Sequence, residues 1–312
     1  MPNTLTTRTS VAEAQPLVDL DQFQPTREAR ITAIMNLKGG VGKTTLSLMT
    51  ASALARGLRH PRTGEELIPP QRVLAIDLEK LCALTSLVLD PGLDLAPGRV
   101  ARLFESVPEE LITHPERSRS AGLDLISRIV VPAAEEPFFF VPADQTSIEV
   151  SDKVDGPQDF DLLDNLTLLQ PYFDHIILDL PGQATGRIFR NALCATDGII
   201  IPVDTSVNTL VSLRPFFRVI QNFRRGQNQG LQVDGIVVTK VASKVDPRFR
   251  KIQRGLEEAG VAYVFQNRIR SLMAIQDAAD QGRSVFHGND ANAIQDVTNF
   301  TLEWWNRIQE VG

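Results

Sequence analysis

Ten consecutive residues, Asn36-Leu37-Lys38-Gly39-Gly40-Val41-Gly42-Lys43-Thr44-Thr45, carry the most specific chemistry in this 312-residue chain. Glycines at 39, 40 and 42 let the backbone curl until successive N–H groups face one point. A helix opening at Thr44 would add its partial positive charge at the same place. Lys43 is then placed to reach β- and γ-phosphates, and Thr44 to offer its hydroxyl to Mg²⁺. The strict phosphate-loop pattern G-x-x-x-x-G-K-[ST] needs Gly at position 37, where this chain has Leu37. The loop is therefore a variant, with an additional Lys38 at its start. Lys38 through Thr45 are the candidate nucleotide-binding residues. A glycine-rich turn that binds nothing is the bland alternative; the residues, their order and their setting argue together against it.

Carboxylates recur at the ends of two apolar runs. Asp179 ends HIILDL at 175–180 and is followed by Pro181-Gly182. A strand-end carboxylate near a phosphate loop orients a Mg²⁺-bound water. The Gly182 N–H is placed to sense a γ-phosphate. The second run, RVLAIDL at 72–78, carries Asp77 and leads into Glu79.

The elements that must position these groups follow from periodicity. Strands are expected at 31–37, 72–78, 138–141, 175–180, 198–203 and 233–239, with a shorter one at 261–265. A helix is expected over 44–58, with Leu46, Met49, Ala53 and Leu54 at helical spacing. Continuous apolar runs separated by helices indicate an α/β fold, a mostly parallel central sheet covered on both faces. Residues 1–29 are polar and aperiodic and read as a mobile N-terminal tail. Residues 30–312 read as a single domain ending in a helix. The stretch 90–136 yields no clear pattern.

The segment KGGVGKTT at 38–45, with the strands as far as Phe286, resembles the ParA/MinD family of deviant-Walker ATPases, and its ParA branch in particular. The resemblance implies a P-loop NTPase fold, ATP and Mg²⁺ as ligands, and a homodimer in the ATP state. It implies that Lys38 reaches across that dimer to the partner's ATP, offsetting triphosphate repulsion. The family's second strand ends D-x-D-P-x-x-N; here it reads Asp77-Leu78-Glu79-Lys80-Leu81-Cys82-Ala83. Thr44, Asp77 and Asp179 are thus the expected metal shell, and Lys38, Glu79 and Asp179 the expected catalytic set. Glu79 replaces the family's water-positioning Asp one methylene farther out, which predicts slow hydrolysis with ATP binding retained. The family's base-binding regions map to Thr239–Lys240 and Asn267–Arg268.

Net charge is −6, yet residues 205–270 hold twelve Lys/Arg against four acids. That segregation points to a polyanion-facing surface. In the ParA reading it binds DNA without sequence preference, through Arg214, Arg218, Arg224, Arg225, Lys244, Arg248, Arg250, Lys251 and Arg270. The resemblance further implies a ParB-like stimulating partner and a role in plasmid or chromosome partition. The rival is an ATP-gated dimer switch for cargo positioning or conjugation, without DNA. Two cysteines and four histidines without ligand spacing exclude a disulfide framework and any Cys- or His-based metal site. No apolar run approaches the roughly 20 residues of a membrane span, and no secretory signal is visible. The acids Glu303 and Glu310 make the last segment a packed helix rather than a membrane anchor. A cytoplasmic, nucleoid-associated protein is the expected setting.

Overall fold

A computed structural model describes residues 17–60, 62–153, 159–183, 185–206, 209–243, 246–260 and 262–311. Lys244 and Val261 lie outside these. The central sheet has seven strands: β1 (Arg30–Ile34), β2 (Val73–Asp77), β3 (Val131–Pro132), β4 (Phe139–Val141), β5 (His175–Asp179), β6 (Gly198–Val203) and β7 (Gln232–Val238). Their order is β3-β4-β2-β5-β1-β6-β7. The pairings are parallel except β3 with β4.

Side chains alternate between the two faces with the pleat of each strand. Ile31 and Ala33, Leu74 and Ile76, and Ile176 and Leu178 enter one apolar cluster. Ile34, Val73, Ala75 and Ile177 enter another. Both faces are covered, so the strands read as unbroken apolar runs. Helix α1 (Lys43–Arg56) is buried at every position from Leu46 to Ala55, wedged between sheet and C-terminal helix.

The C-terminal helix (Ala291–Val311) is packed on the domain, as its sequence suggested. Phe300 and Trp304 are fully buried. The Trp304 indole donates to Asp234 Oδ2 at 2.8 Å, and Arg30 pairs with Asp234 Oδ1 at 2.7 Å. Among the described residues no helix is long and apolar enough to cross a membrane.

Three expectations change. Residues 17–29 belong to the body and not to a tail: Val18 and Phe23 are buried, and the Phe23 ring meets Phe139 and Phe173 at 5.1 and 5.6 Å. Among the described residues the 261–265 strand shrinks to one bridge, Ile236 to Val264. The pairing is interrupted where the Gln266 and Asn267 amides donate to the Glu303 carboxylate, and the chain rejoins the edge of β7 at Ile269, whose amide donates to Val238 O at 3.0 Å. The unassigned stretch contains the helix Pro115–Ile129, which packs through Leu125, Ile126 and Ile129.

Candidate functional site

The register of the sheet creates the site. Asp77 on β2 lies opposite Asp179 on β5, and Asp179 lies opposite Ile34 on β1. Both carboxylates therefore stand at the carboxyl end of the sheet, beside the loop leaving β1. That edge is where open α/β sheets bind ligands.

Gly40 (φ 72°) and Gly42 (φ 86°) take up left-handed backbone, and a Cβ at either would meet open space. Conformation and not crowding demands glycine there. The loop is tied down at Val41, whose carbonyl accepts from the Thr239 hydroxyl at 2.7 Å. It is also tied at Asn36, whose amide donates to Pro202 O at 2.7 Å. Lys43 is buried, and a Cβ at Gly182 would stand 3.4 Å from its Nζ. The loop lysine and the proposed γ-phosphate sensor are thus neighbours.

Asp179 is fully buried; its Oδ1 accepts from the Ser47 hydroxyl at 3.0 Å, and the nearby Thr44 hydroxyl helps to hold its pKa down. Its Oδ2 has no hydrogen-bond partner. Burial raises the Asp179 pKa strongly, and the neighbouring Asp77 raises it further. A buried carboxylate oxygen without a donor, next to a threonine hydroxyl, fits a hard divalent cation. Ser47 escaped sequence reading because a serine in a helix's second turn carries no motif signal.

Asp77, expected in the metal shell, is committed differently. Oδ1 accepts from the Glu79 amide at 3.1 Å, and Oδ2 from the Thr85 amide and hydroxyl at 2.7 and 2.8 Å. Asp77 braces the 79–85 turn, and burial raises its pKa too. Glu79 is half-buried and faces the cavity. Lys80, which follows it, pairs with Glu149 at 3.0 Å. Lys38 leaves the loop in another direction. Its Nζ lies 2.5 Å from Asp204 Oδ2 and 2.7 Å from Ser206 Oγ. Burial would raise Asp204, but Lys38 and Ser206 hold it down to about 2.

Gly39, Gly40, Gly42, Lys43, Thr44, Glu79 and Gly182 line one cavity of about 680 Å³. Part of its wall is apolar, formed by Met49, Ile269, Leu272 and Ile275. Such a wall suits a base, and no sequence motif announced it. Thr239 and Lys240 line the cavity as expected. Asn267 and Arg268 do not: the Asn267 side chain donates to Glu303, and the Arg268 guanidinium covers the Phe249 ring at 4.5 Å.

The basic residues divide. Arg214, Arg218, Arg224 and Arg225 are exposed on the helix Thr209–Arg225, and Arg250 and Lys251 on the helix Pro247–Ala259. Arg248 is exposed but spans 3.0 Å to Asp246. Arg270, expected to face DNA, is buried and bonds Asp296 through both Nε and Nη2 at 2.8 Å. An arginine closed inside that pair offers nothing to a phosphate backbone. Lys244 lies outside the described residues. Burial pushes the Cys82 and Cys194 thiols up to about 11, so both are neutral at physiological pH.

Comparison with known proteins matches this arrangement. Residues 29–233 match the AAA_31 family model, described as an AAA domain. The ParA chromosome partitioning protein of Myxococcus xanthus is 28% identical over 70% of this chain and 67% of its own. The chain belongs to the ParA/MinD family of P-loop ATPases. The sporulation initiation inhibitor Soj of Bacillus subtilis is 24% identical over 70% of this chain and 75% of its own. Among solved structures, an ATP complex of Cyanothece McdA superposes with TM-score 0.65 at 19% identity, covering 91% of this chain and 98% of that one. A plasmid partition protein of Borrelia burgdorferi bound to AMPPNP gives 0.62 at 19% identity, over 90% and 100%. At these identities the superpositions establish a shared fold.

Proposed function

We propose that this ParA/MinD-family chain binds Mg-ATP, dimerises in the ATP state, and binds DNA without sequence preference to drive plasmid or chromosome partition. The observation that carries the reading is the convergence of Lys43, Thr44 and Gly182 on one cavity, with Asp179 at the end of the adjoining strand. The relatives named for chromosome partitioning, and the neighbours solved with ATP and AMPPNP, support it.

Curled amides of 39–43 and the Lys43 ammonium hold the triphosphate, and the apolar wall from Met49 to Ile275 holds the base. Asp179, Thr44 and Ser47 form the polar seat for the metal, which when bound would neutralise phosphate charge. Glu79 faces the same cavity and takes the role of orienting the attacking water; Asp77 sets its backbone through the Glu79 amide. Lys38 acts across the dimer on the partner's triphosphate. A ParB-like adaptor accelerates turnover, and the cycle runs in the cytoplasm on the nucleoid.

Hydrolysis tests the Glu79 assignment. Glu79→Ala is expected to lower adaptor-stimulated turnover about 10²-fold with ATP affinity kept, as for loss of a water-positioning group. Glu79→Asp is expected to change turnover by less. Turnover in Glu79→Ala equal to the parent's would remove Glu79 from the chemistry.

DNA binding has its own test. The exposed Arg224, Arg225, Arg250 and Lys251 changed together to Glu are expected to abolish retention on DNA at low salt. The parent should bind more weakly as salt rises. Retention that survives the four changes would leave the rival reading, a nucleotide-gated dimer switch that acts without DNA.

A further inference from the structure

Lys38 sits in a receptor of its own. Its ammonium is bound by Asp204 Oδ2 and Ser206 Oγ, and it is absent from the cavity wall that Gly39, Gly40, Gly42 and Lys43 form. The receptor is built and not incidental. Asp204 Oδ1 accepts from the Ser206 amide at 3.2 Å and the Thr209 hydroxyl at 3.0 Å, which turns Oδ2 toward Lys38. On the lysine side, the Lys38 amide donates to Asn36 Oδ1 at 3.0 Å, and the Asn36 amide is anchored on Pro202 O. Both halves of the contact thus hang from the ends of the paired strands β1 and β6.

A lysine that serves a second copy's triphosphate must first leave this receptor. The two side chains are 33% and 24% exposed, so the pair is solvent-screened and reversible. Its geometry is nevertheless that of a charge-assisted bond. We propose that Asp204, with Ser206, is a latch that holds Lys38 within its own subunit and sets how readily ATP drives dimerisation. The inference rests on the reading of Lys38 as a ligand in trans. Forming the dimer opens two latches. A contact worth about fivefold per subunit therefore weakens the dimer about 25-fold.

Sedimentation of the full chain with Mg-ATP and with Mg-ADP tests this, using Asp204→Asn, Asp204→Glu, Ser206→Ala and Lys38→Ala. Asp204→Asn is expected to tighten the Mg-ATP dimer about 25-fold and leave the Mg-ADP sample monomeric. Asp204→Glu keeps the charge and should stay near the parent. Ser206→Ala should tighten the dimer in the same direction, by about threefold, and carries the test if Asp204→Asn does not fold by circular dichroism. Lys38→Ala reports on the parent reading: if it dimerises like the parent, the role in trans fails and the latch with it. If Lys38→Ala stays monomeric while Asp204→Asn and Ser206→Ala leave the dimer unchanged or weaker, the latch alone is overturned.

Discussion

Replacing Lys43 by Ala is expected to abolish ATP binding. The ammonium is buried beside Gly182, at the mouth of a loop whose amides curl toward the same point. Charge-assisted bonds contribute about 1.5–3 kcal/mol each, so losing two lowers affinity by more than about 100-fold. Calorimetric titration with Mg-ATP reads this directly. An affinity within tenfold of the parent's would place the triphosphate elsewhere, and the dimer, the latch and the DNA cycle would lose their trigger.

Asp179→Asn separates metal from nucleotide. The amide oxygen can still accept from Ser47, so the fold should survive. Turnover with Mg²⁺ is expected to fall at least about 10²-fold, while metal-free ADP binding stays within about threefold. The carboxyl also gives a pH signature. Its folded pKa is raised above the unfolded value, so the folded state holds the extra proton between the two. Stability from this group is therefore lost as pH rises from the ordinary carboxylate range through the raised folded value. A divalent cation replaces that proton, so its stabilising effect must grow in the same direction. The increase in melting temperature on adding Mg²⁺ and ADP should be larger at about pH 8 than at about pH 6. In Asp179→Asn it should be small at both. A parent shift that does not vary with pH would remove Asp179 from the metal seat.

The loop, its lysines and the strand-ending Asp179 were legible from residue order, because a phosphate cradle is local. Its glycines, its cation and its helix start lie within ten residues. The parallel sheet was legible too, since a strand buried on both faces must be apolar throughout. Charge segregation located the basic stretch but could not say which cations point outward. Arg270 belongs to that stretch and is closed in a pair with Asp296, whereas Arg224 and Arg225 are exposed.

Sequence by itself determined the chemistry available to this protein: a triphosphate-binding loop, a strand-end carboxylate, and the family that combines them. Only the tertiary structure decided how these groups are shared out. The register of β2 on β5 set Asp77 against Asp179, yet Thr85, eight residues on, claimed Asp77 for the turn. Ser47 joined Asp179 from 132 residues away, and Asp204 took Lys38 from 166 residues away. The physical reason is the range of the forces. Backbone curl and apolar periodicity act over a few residues. Ion pairs and buried hydrogen bonds depend on which strand ends the fold brings within about 3 Å, and spacing along the chain does not encode that distance.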